Sequence, residues 1–356
     1  AARPSIADPF LPAKIREGRE DEIRECIGCN ICRAANNEGV GLRCTQNPTM
    51  GEEWRRGWHP ERIAVHPKRE RALVIGGGPA GLEAALTLGR RGLEVALAEA
   101  GDAFGGRLLR EATLPGLQTW MRVRDWRLHM IGKLPNVQLY PASTMRPEDI
   151  AEFGADHLVL ATGSTWRRDA VGVYAIRPLE VPQALTPDDI FAGAQVSEPV
   201  VIYDDEHYFM AGALAERLAA LGRTVHYVTT AAVASSWTVL TNEQDFLQAR
   251  LIEAGVTLHP LKALKAQHSD HVILSCVSTG RAGTLPCGTL ILATGRLPET
   301  GLWDALTAQG TPATRVGDCL TPSSIADAVH SAHRFARLLG EPDLPPRRER
   351  APERTL

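Results

Sequence analysis

Short apolar runs, glycine turns and helical patterns follow one another in the chain from residue 70 onwards. Residues 72–75 form an apolar run, GGGPAG follows at 76–81, a helical pattern covers 82–92, and a second apolar run reaches residue 98. A short apolar run bounded by turn residues is typical of a buried strand. This order therefore predicts a strand–helix–strand unit of a parallel sheet.

A second unit of the same kind begins after Pro199, with strand patterns at 200–205 and 224–230 around a helical pattern at 210–223. Further strand patterns, at 157–161 and 290–294, both lead into Ala-Thr-Gly. Because the second of these lies beyond the second unit, we expect the first fold to be interrupted by the second.

Composition restricts the possible classes of function. The chain has 356 residues, enough for two or three domains, and its net charge is −3. We therefore expect no nucleic-acid partner. There is no apolar run of roughly 20 residues and no secretory signal, so no membrane is expected. Four of the seven cysteines fall within residues 26–44. This clustering indicates a metal site in a reducing compartment, and we expect a cytoplasmic protein.

Those four cysteines carry the strongest chemical signal. Two residues separate Cys26 from Cys29 and Cys29 from Cys32, and Cys44 follows after eleven more. Such spacings let successive thiolates point into one concave loop, and a distant fourth thiolate closes the arrangement around a [4Fe–4S] cluster. Structural zinc is the weaker alternative, because zinc sites favour two CxxC pairs or cysteines combined with histidines.

A glycine motif, Gly76-x-Gly78-x-x-Gly81, follows a predicted strand and opens a predicted helix. Its glycines allow a tight turn and a close approach of pyrophosphate to the backbone, and Glu99 ends the next strand, where it can accept from ribose hydroxyls. A glutamate there disfavours a 2′-phosphate, but FAD, NAD and ADP all stay open. The predicted binding residues of this unit are Gly76, Gly78, Pro79, Ala80, Gly81, Glu99 and Ala100.

Two later features favour FAD over NAD. After Gly105, the chain continues as Gly106, Arg107 and Leu108 at the distance where flavoproteins of this class return to the pyrophosphate. Gly317 and Asp318 precede the last helical pattern, where an aspartate typically meets the ribityl chain of FAD. Ordinary turn and N-cap chemistry is the alternative for both. The strand end at Ala161, Thr162 and Gly163 completes the predicted site.

The second unit lacks this fingerprint, because residues 204–210 read DDEHYFM where a glycine loop belongs. Three acids and several bulky side chains would repel and block a pyrophosphate. The inserted domain is therefore predicted to keep its fold but not to bind NAD(P)H.

Several segments together resemble the C-terminal half of the trimethylamine and dimethylamine dehydrogenase family of iron–sulfur flavoproteins. The resemblance covers residues 1–340 and is carried by ARPSIADPFLP at 2–12, CIGCNIC at 26–32, CTQNPTMGEEWRRGWHPE at 44–61, GGGPAG, and GDCLTPSSIADAV at 317–329. Histamine dehydrogenase and the 2,4-dienoyl-CoA reductases share this architecture.

In that family an N-terminal (β/α)8 barrel binds FMN and oxidises the substrate, and electrons pass through the cluster to an electron-transferring flavoprotein. The resemblance implies that residues 1–25 end such a barrel, with a strand end near Arg3, whose side chain would hold the FMN phosphate. The barrel, on the same longer polypeptide or a separate subunit, and the flavoprotein are then expected partners. A homo-oligomer is also expected. The nucleotide site holds ADP in the amine dehydrogenases and FAD in the reductase.

The expected fold class is α/β: a [4Fe–4S] segment, then a Rossmann-like, glutathione-reductase-like domain interrupted by a second, degenerate one. The expected domains are a barrel end at 1–25, a [4Fe–4S] segment at 26–67, an FAD- or ADP-binding domain at 68–190 and 290–342, an inserted domain at 195–289 and a disordered tail at 343–356.

The leading hypothesis is the electron-transfer half of a dehydrogenase that oxidatively demethylates an amine. One alternative is half of an NAD(P)H-dependent enoate reductase, with electrons running the opposite way. Another is a non-catalytic electron carrier or scaffold subunit. No catalytic residue is assigned, because the substrate-binding barrel is mostly absent from this chain.

Overall fold

A computed structural model describes residues 2–341, in which two parallel sheets form the framework. The tail predicted to be disordered, 343–356, lies outside the described residues. The strands are β1 (Arg71–Ile75), β2 (Glu94–Ala98), β3 (Val137–Tyr140), β4 (His157–Leu160), β5 (Ser164–Trp166), β6 (Val200–Asp204), β7 (Val225–Thr229), β8 (Thr257–His259), β9 (Lys262–Gln267), β10 (His271–Cys276), β11 (Ala282–Pro286), β12 (Thr289–Ala293), β13 (Arg296–Pro298) and β14 (Thr314–Arg315).

Helices connect and cover these strands. The α-helices are α1 (Ala2–Ala7), α2 (Leu11–Arg16), α3 (Ile31–Asn37), α4 (Glu53–Arg56), α5 (Pro79–Arg90), α6 (Leu108–Glu111), α7 (Arg122–Gly132), α8 (Pro147–Phe153), α9 (Pro187–Phe191), α10 (Met210–Ala220), α11 (Gln244–Glu253), α12 (Gly301–Ala308) and α13 (Ile325–Leu338). Short 3-10 helices occupy Glu20–Glu22, Gln118–Met121, Ser236–Val239 and Gly317–Cys319.

The first sheet has the strand order β14-β4-β1-β2-β3, and every neighbouring pair is parallel. Helices α5, α7 and α13 cover one face, and α8 and α12 cover the other. Because both faces are buried, the central strands read as continuous apolar runs rather than as alternating patterns. The predicted α/β class with a parallel, Rossmann-like sheet is confirmed.

The second sheet, β12-β6-β7-β8, is also parallel throughout. Helices α10 and α11 pack on one face, and the three-stranded antiparallel sheet β11-β10-β9 covers the other. The apolar run of β12 thus fills an edge position beside β6.

The boundary drawn at residue 290 is wrong for β12. This strand pairs with β6 over its full length, and Leu185 forms an isolated parallel bridge with Ile291. β12 therefore belongs to the second sheet, and the apolar side chains of Leu185, Ile190 and Phe191 pack against the core of that sheet. The chain returns to the first unit through β13, which pairs antiparallel with β5.

Residues 2–7 form the helix α1 rather than the strand end that the resemblance implied. Within residues 2–25 the described elements are helical. Asp8, wholly buried, accepts from Lys14 Nζ at 2.6 Å and from the backbone N–H of Arg24 at 2.9 Å. These contacts fold the segment against the start of the cysteine-rich region.

No helix within residues 2–341 combines the length and the apolar character needed to cross a bilayer.

Candidate nucleotide and cysteine sites

The glycine loop between β1 and α5 is shaped by close contacts that only glycine permits at two positions. A Cβ on Gly76, whose φ is +103°, would lie 2.3 Å from the carbonyl oxygen of Ala161, and a Cβ on Gly81 would lie 1.8 Å from that of Gly76. Gly78 differs, because a Cβ there would meet no atom closer than the Cα of Gly106 at 3.9 Å. Protein packing explains two glycines of the motif, and open space lies beside the third.

Glu99 follows β2 and holds the same loop. Its Oε2 atom accepts from the backbone N–H of Gly77 at 2.6 Å, and its Oε1 atom accepts from that of Gly101 at 2.7 Å. The carboxylate is therefore fixed at the carboxyl edge of the first sheet, where a ribose would lie beside a dinucleotide loop.

Arg107 belongs to a turn that packs directly on the glycine loop. The N–H of Gly105 donates to the carbonyl of Gly77 at 2.8 Å. Arg107 donates to Glu111 Oε1 at 3.0 Å and to Asp188 Oδ1 at 3.2 Å, so its guanidinium is already paired. Leu108 is 1% exposed and packs with Trp120, so most of its surface lies in the core.

Asp318 lies across the edge of the first sheet from the glycine loop. Its Oδ2 atom accepts from Ser164 Oγ at 2.9 Å and from Arg296 Nη1, and its Oδ1 atom accepts from the N–H of Ser323 at 3.2 Å. Both oxygens of this carboxylate are therefore engaged by the protein. Gly317, with φ +67°, donates its N–H to Ser331 Oγ at 2.7 Å.

One cavity of about 1010 Å³ joins these groups. Of the predicted nucleotide-site residues, those that line it are Gly76, Gly78, Pro79, Ala80, Glu99, Ala100, Gly106, Arg107, Leu108, Ala161, Thr162, Gly163 and Asp318. Gly81, Gly317 and Arg3 do not line it. Cys29 and Thr45 from the cysteine-rich segment line the same cavity, so it extends from the glycine loop to Cys29.

Ser164, Arg296, Glu206 and Tyr208 are among the lining residues that the predicted site did not include. Arg296 follows the second Ala-Thr-Gly directly, and this repeat of the first strand ending was a usable signal. Glu206 carried no signal, because an acid in a degenerate loop has no motif of its own.

Cys26 and Cys29 lie on a loop whose backbone turns inward, Cys32 lies in α3, and Cys44 lies in a later segment. Gly28 and Asn30 both adopt left-handed φ values, +74° and +53°. When right-handed and left-handed residues alternate, successive backbone N–H groups point into one concavity, which suits anions and iron–sulfur groups. The N–H of Gly28 donates to Cys26 Sγ at 3.4 Å, and Cys29 Sγ lies 3.2 Å from Thr45 Oγ1.

Further backbone N–H groups reach the other sulfurs. Cys44 accepts from Gln46 and Asn47, and Cys32 accepts from Arg33. Burial raises the pKa of the Cys29 thiol to about 12, against the lowering effect of Thr45. A metal must therefore displace a tightly held proton from this thiol, and the N–H donors favour the thiolate that results.

No set of three or more His, Cys, Asp or Glu side chains within residues 2–341 is arranged to hold a single metal ion. The fit to a [4Fe–4S] cluster therefore rests on donor chemistry. The four thiols interact electrostatically with one another and have N–H donors close by. Four cysteine thiolates are the ligands that such a cluster uses.

Arg3 lies beside this loop rather than at a strand end. It is exposed on α1, and its Nη1 atom donates to Asn30 Oδ1 at 2.8 Å.

The loop between β6 and α10 is filled by its own side chains. Asp204 and Asp205 are fully buried, and the His207 imidazole lies 3.5 Å from Asp204 Oδ2 and 3.4 Å from Asp205 Oδ1. Burial alone would lower the pKa of His207, but the two carboxylates raise it to about 9. Asp205 also accepts from the backbone N–H groups of Tyr174 and Ala175, so a neighbouring loop closes over this position.

Glu206, next in this loop, has a different environment. Its Oε2 atom is buried without a hydrogen-bond partner, while the rest of the residue borders the cavity. Burial raises the pKa of this carboxyl to about 7, and Arg296 only partly opposes the shift.

Comparisons with known proteins agree on one group of oxidoreductases. A family model described as pyridine nucleotide-disulphide oxidoreductase matches residues 70–321. A dimethylamine dehydrogenase from Hyphomicrobium sp. (strain x) is 36% identical, over 96% of this chain and 52% of that protein.

Two solved structures resemble nearly the whole chain. Histamine dehydrogenase from Rhizobium sp. 4-9 is 43% identical with a TM-score of 0.94, covering 97% of this chain and 55% of that one. The 6-hydroxypseudooxynicotine amine oxidase from Pseudomonas geniculata N1 is also 43% identical, with a TM-score of 0.92 over 96% of this chain and 52% of that one. The chain thus spans about half the length of the relatives it matches.

Proposed function

Since this chain belongs to the pyridine nucleotide-disulphide oxidoreductase family, and resembles amine dehydrogenases over nearly its whole length, we propose a specific role for it. The chain is an oxidoreductase, and the proposed role is the electron-transfer half of an iron–sulfur flavoprotein dehydrogenase that oxidises a methylated amine. The observation that carries the proposal is the shared cavity, which has the glycine loop at one end and Cys29 at the other.

In this proposal Cys26, Cys29, Cys32 and Cys44 hold a [4Fe–4S] cluster. When bound, such a cluster accepts and releases one electron at a time. The protein supplies the four thiolates, the N–H donors that stabilise them and the apolar cover from Ile27 and Ile31. An FMN-binding barrel, on the same polypeptide or another, would supply the electrons, and an electron-transferring flavoprotein would receive them.

The nucleotide site would hold FAD or ADP against Gly78 and Glu99. The pairing of Asp318 with Arg296 and Ser164 favours ADP, because a ribityl chain would have to compete for a carboxylate whose two oxygens are already engaged. Membership of the pyridine nucleotide-disulphide oxidoreductase family favours FAD. Release of the nucleotide by acid from anaerobically purified protein, followed by chromatography, separates the two.

Iron and sulfide content tests the cluster. About four irons and four sulfides per chain are expected, and Cys44→Ala should lower both. Cys287→Ala is the control, because Cys287 is a buried free cysteine that lies among the apolar side chains beside the second sheet. A parent protein without iron, or equal iron in both variants, would overturn the cluster assignment.

The direction of electron flow is tested with substrates. Stopped-flow mixing of the holoenzyme with dimethylamine-type substrates should reduce its flavin rapidly, whereas NADH should not. The filled loop at 204–210 supports this expectation, since Asp205 is tied to the backbone of the adjoining loop. Micromolar NADH binding in calorimetry, or rapid flavin reduction by NADH, would favour the enoate-reductase alternative instead.

A further inference from the structure

Gln46 connects the two cysteine-bearing segments. It is 1% exposed and lies two residues after Cys44. Its Nε2 atom donates to the carbonyl of Glu25, the residue before Cys26, at 3.0 Å, and to the carbonyl of Arg122 at 3.3 Å. One side chain thus spans from the neighbour of the fourth cysteine to the neighbour of the first.

Arg127 holds Gln46 from the other side. Its side chain is fully buried, and its Nη1 atom donates to Gln46 Oε1 at 3.1 Å and to the carbonyl of Val123 at 2.9 Å. The Nη2 atom reaches the carbonyl of Gln46 at 3.4 Å. A planar guanidinium can serve the amide oxygen and the backbone oxygen of one residue together, which fixes both the side chain and the backbone of that residue.

The charge of Arg127 is balanced by the carboxylate of Glu83. Its Nε atom donates to Glu83 Oε2 at 2.8 Å, and Glu83 also accepts from Thr87 and His333. Although burial would raise the pKa of Glu83, the Arg127 cation holds it at about 2. The pair is therefore a fixed ion pair, and Arg127 is anchored to the first sheet's helix α5.

We propose that Gln46 and Arg127 are positioning residues for the cluster, a role that rests on the proposed function. Arg127 fixes the backbone at Gln46, and the N–H groups of Gln46 and Asn47 donate to Cys44 Sγ. Gln46 in turn holds the carbonyl of Glu25, and with it the entry to the Cys26 loop. Hydrogen bonds to the sulfurs set the potential of such clusters, and residues that orient ligands typically change metal affinity by about 10- to 100-fold.

The competing explanation is that Arg127 only fills the core. Arg91 provides the matched control, because it is 2% exposed and donates to the carbonyls of Ala64, Ala336 and Leu339. None of these partners lies within residues 25–47, which carry the four cysteines. Removal of either arginine deletes a buried cation of the same size. Only the loss of Arg127 should change the cluster.

The test compares Arg127→Met, Gln46→Met and Arg91→Met in the full anaerobic chain with the parent. We expect a lower cluster midpoint potential in redox titrations followed by electron paramagnetic resonance for the first two variants, and iron release to a ferrous chelator about tenfold faster or more. Arg91→Met should lose thermal stability while its cluster keeps the parent's potential and release rate. If Arg127→Met does not fold, Gln46→Met carries the comparison.

A parent-like cluster potential and iron release in both Arg127→Met and Gln46→Met would overturn the positioning role. A parent-like potential in Arg127→Lys would also overturn it, because lysine keeps the charge but not the planar guanidinium. A parent chain without iron would instead overturn the proposed function itself.

Discussion

Gly78→Ala separates a glycine that serves a ligand from a glycine that serves the fold. The added methyl group has open space, 3.9 Å from the nearest protein atom, and φ of −73° suits alanine. At such a site the exchange stabilises by about 0.4–1 kcal/mol through the unfolded chain. Gly78 is also the N-cap of α5, where alanine is less favourable than glycine by a similar amount. The two effects cancel to within about 0.5 kcal/mol, so the thermal midpoint should move by less than about 2 °C.

Nucleotide affinity should respond quite differently. If pyrophosphate approaches the backbone at Gly78, the methyl group occupies the space of the ligand. Overpacking of this kind costs about 1–3 kcal/mol, which corresponds to roughly 5- to 150-fold weaker binding. The assay is equilibrium dialysis of ADP and of FAD against protein stripped of nucleotide, with calorimetric unfolding of the same samples.

Two further glycines serve as controls for this experiment. Gly81→Ala should destabilise the protein whether or not nucleotide is present, because its Cβ would lie 1.8 Å from the carbonyl oxygen of Gly76. Gly132→Ala should leave the affinity unchanged and raise the free energy of unfolding by about 0.4–1 kcal/mol, because that position has open space within α7 and no N-cap role. Parent-like affinity in Gly78→Ala would refute the argument that phosphate contacts this backbone.

Three other predictions concern charged groups of the two loops. Asparagine tolerates the left-handed φ of +67° at position 207. His207→Asn leaves Asp204 and Asp205 without their cation and should lower the free energy of unfolding by roughly 3 kcal/mol at pH 6 in urea titrations. The pKa of His207 is raised to about 9, so its contribution to stability is complete below about pH 6.5 and is lost as pH rises through 9. The difference in unfolding free energy between variant and parent should therefore shrink over that range, and a constant difference would contradict this. Burial raises the pKa of Glu206 to about 7, so the stability of the parent should fall between about pH 4.5 and 7. The thermal midpoint of Glu206→Gln should not show this fall, and parallel curves of thermal midpoint against pH for the two proteins would contradict the prediction. Glu99→Gln, with one acceptor for two N–H groups, should weaken ADP retention about tenfold in equilibrium dialysis, and unchanged retention would remove Glu99 from the site.

The parallel α/β framework was predictable because its evidence is local. The runs before Gly76 and Asp204 are apolar at every position, and a glycine or loop sequence marks where each strand ends. The place of β12 was not predictable in this way. Its sequence resembles that of β4, and only the pairing of β12 with β6 decides which sheet it joins.

The site shows the same division between local and long-range information. Gly76, Glu99 and Asp318 were accessible from motifs, since each stands at a fixed distance from a strand or helix. Arg296 was accessible only through the repeated Ala-Thr-Gly that precedes it. Glu206 was not accessible, because its role depends on two loops from different sheets that meet at one cavity. Side chains that act across such a junction leave no regular spacing in the sequence.

The short antiparallel pair of β5 and β13 connects the segment that forms the second sheet to the rest of the chain at a single place. Trp166 and Arg296 are partners in that pair, so residues 167–295 leave and re-enter at one place. A gene rearrangement that replaced this stretch by a two- to five-residue turn would leave an ordinary hairpin. Residues 167–295 can therefore be exchanged or diversified while the first sheet keeps its register.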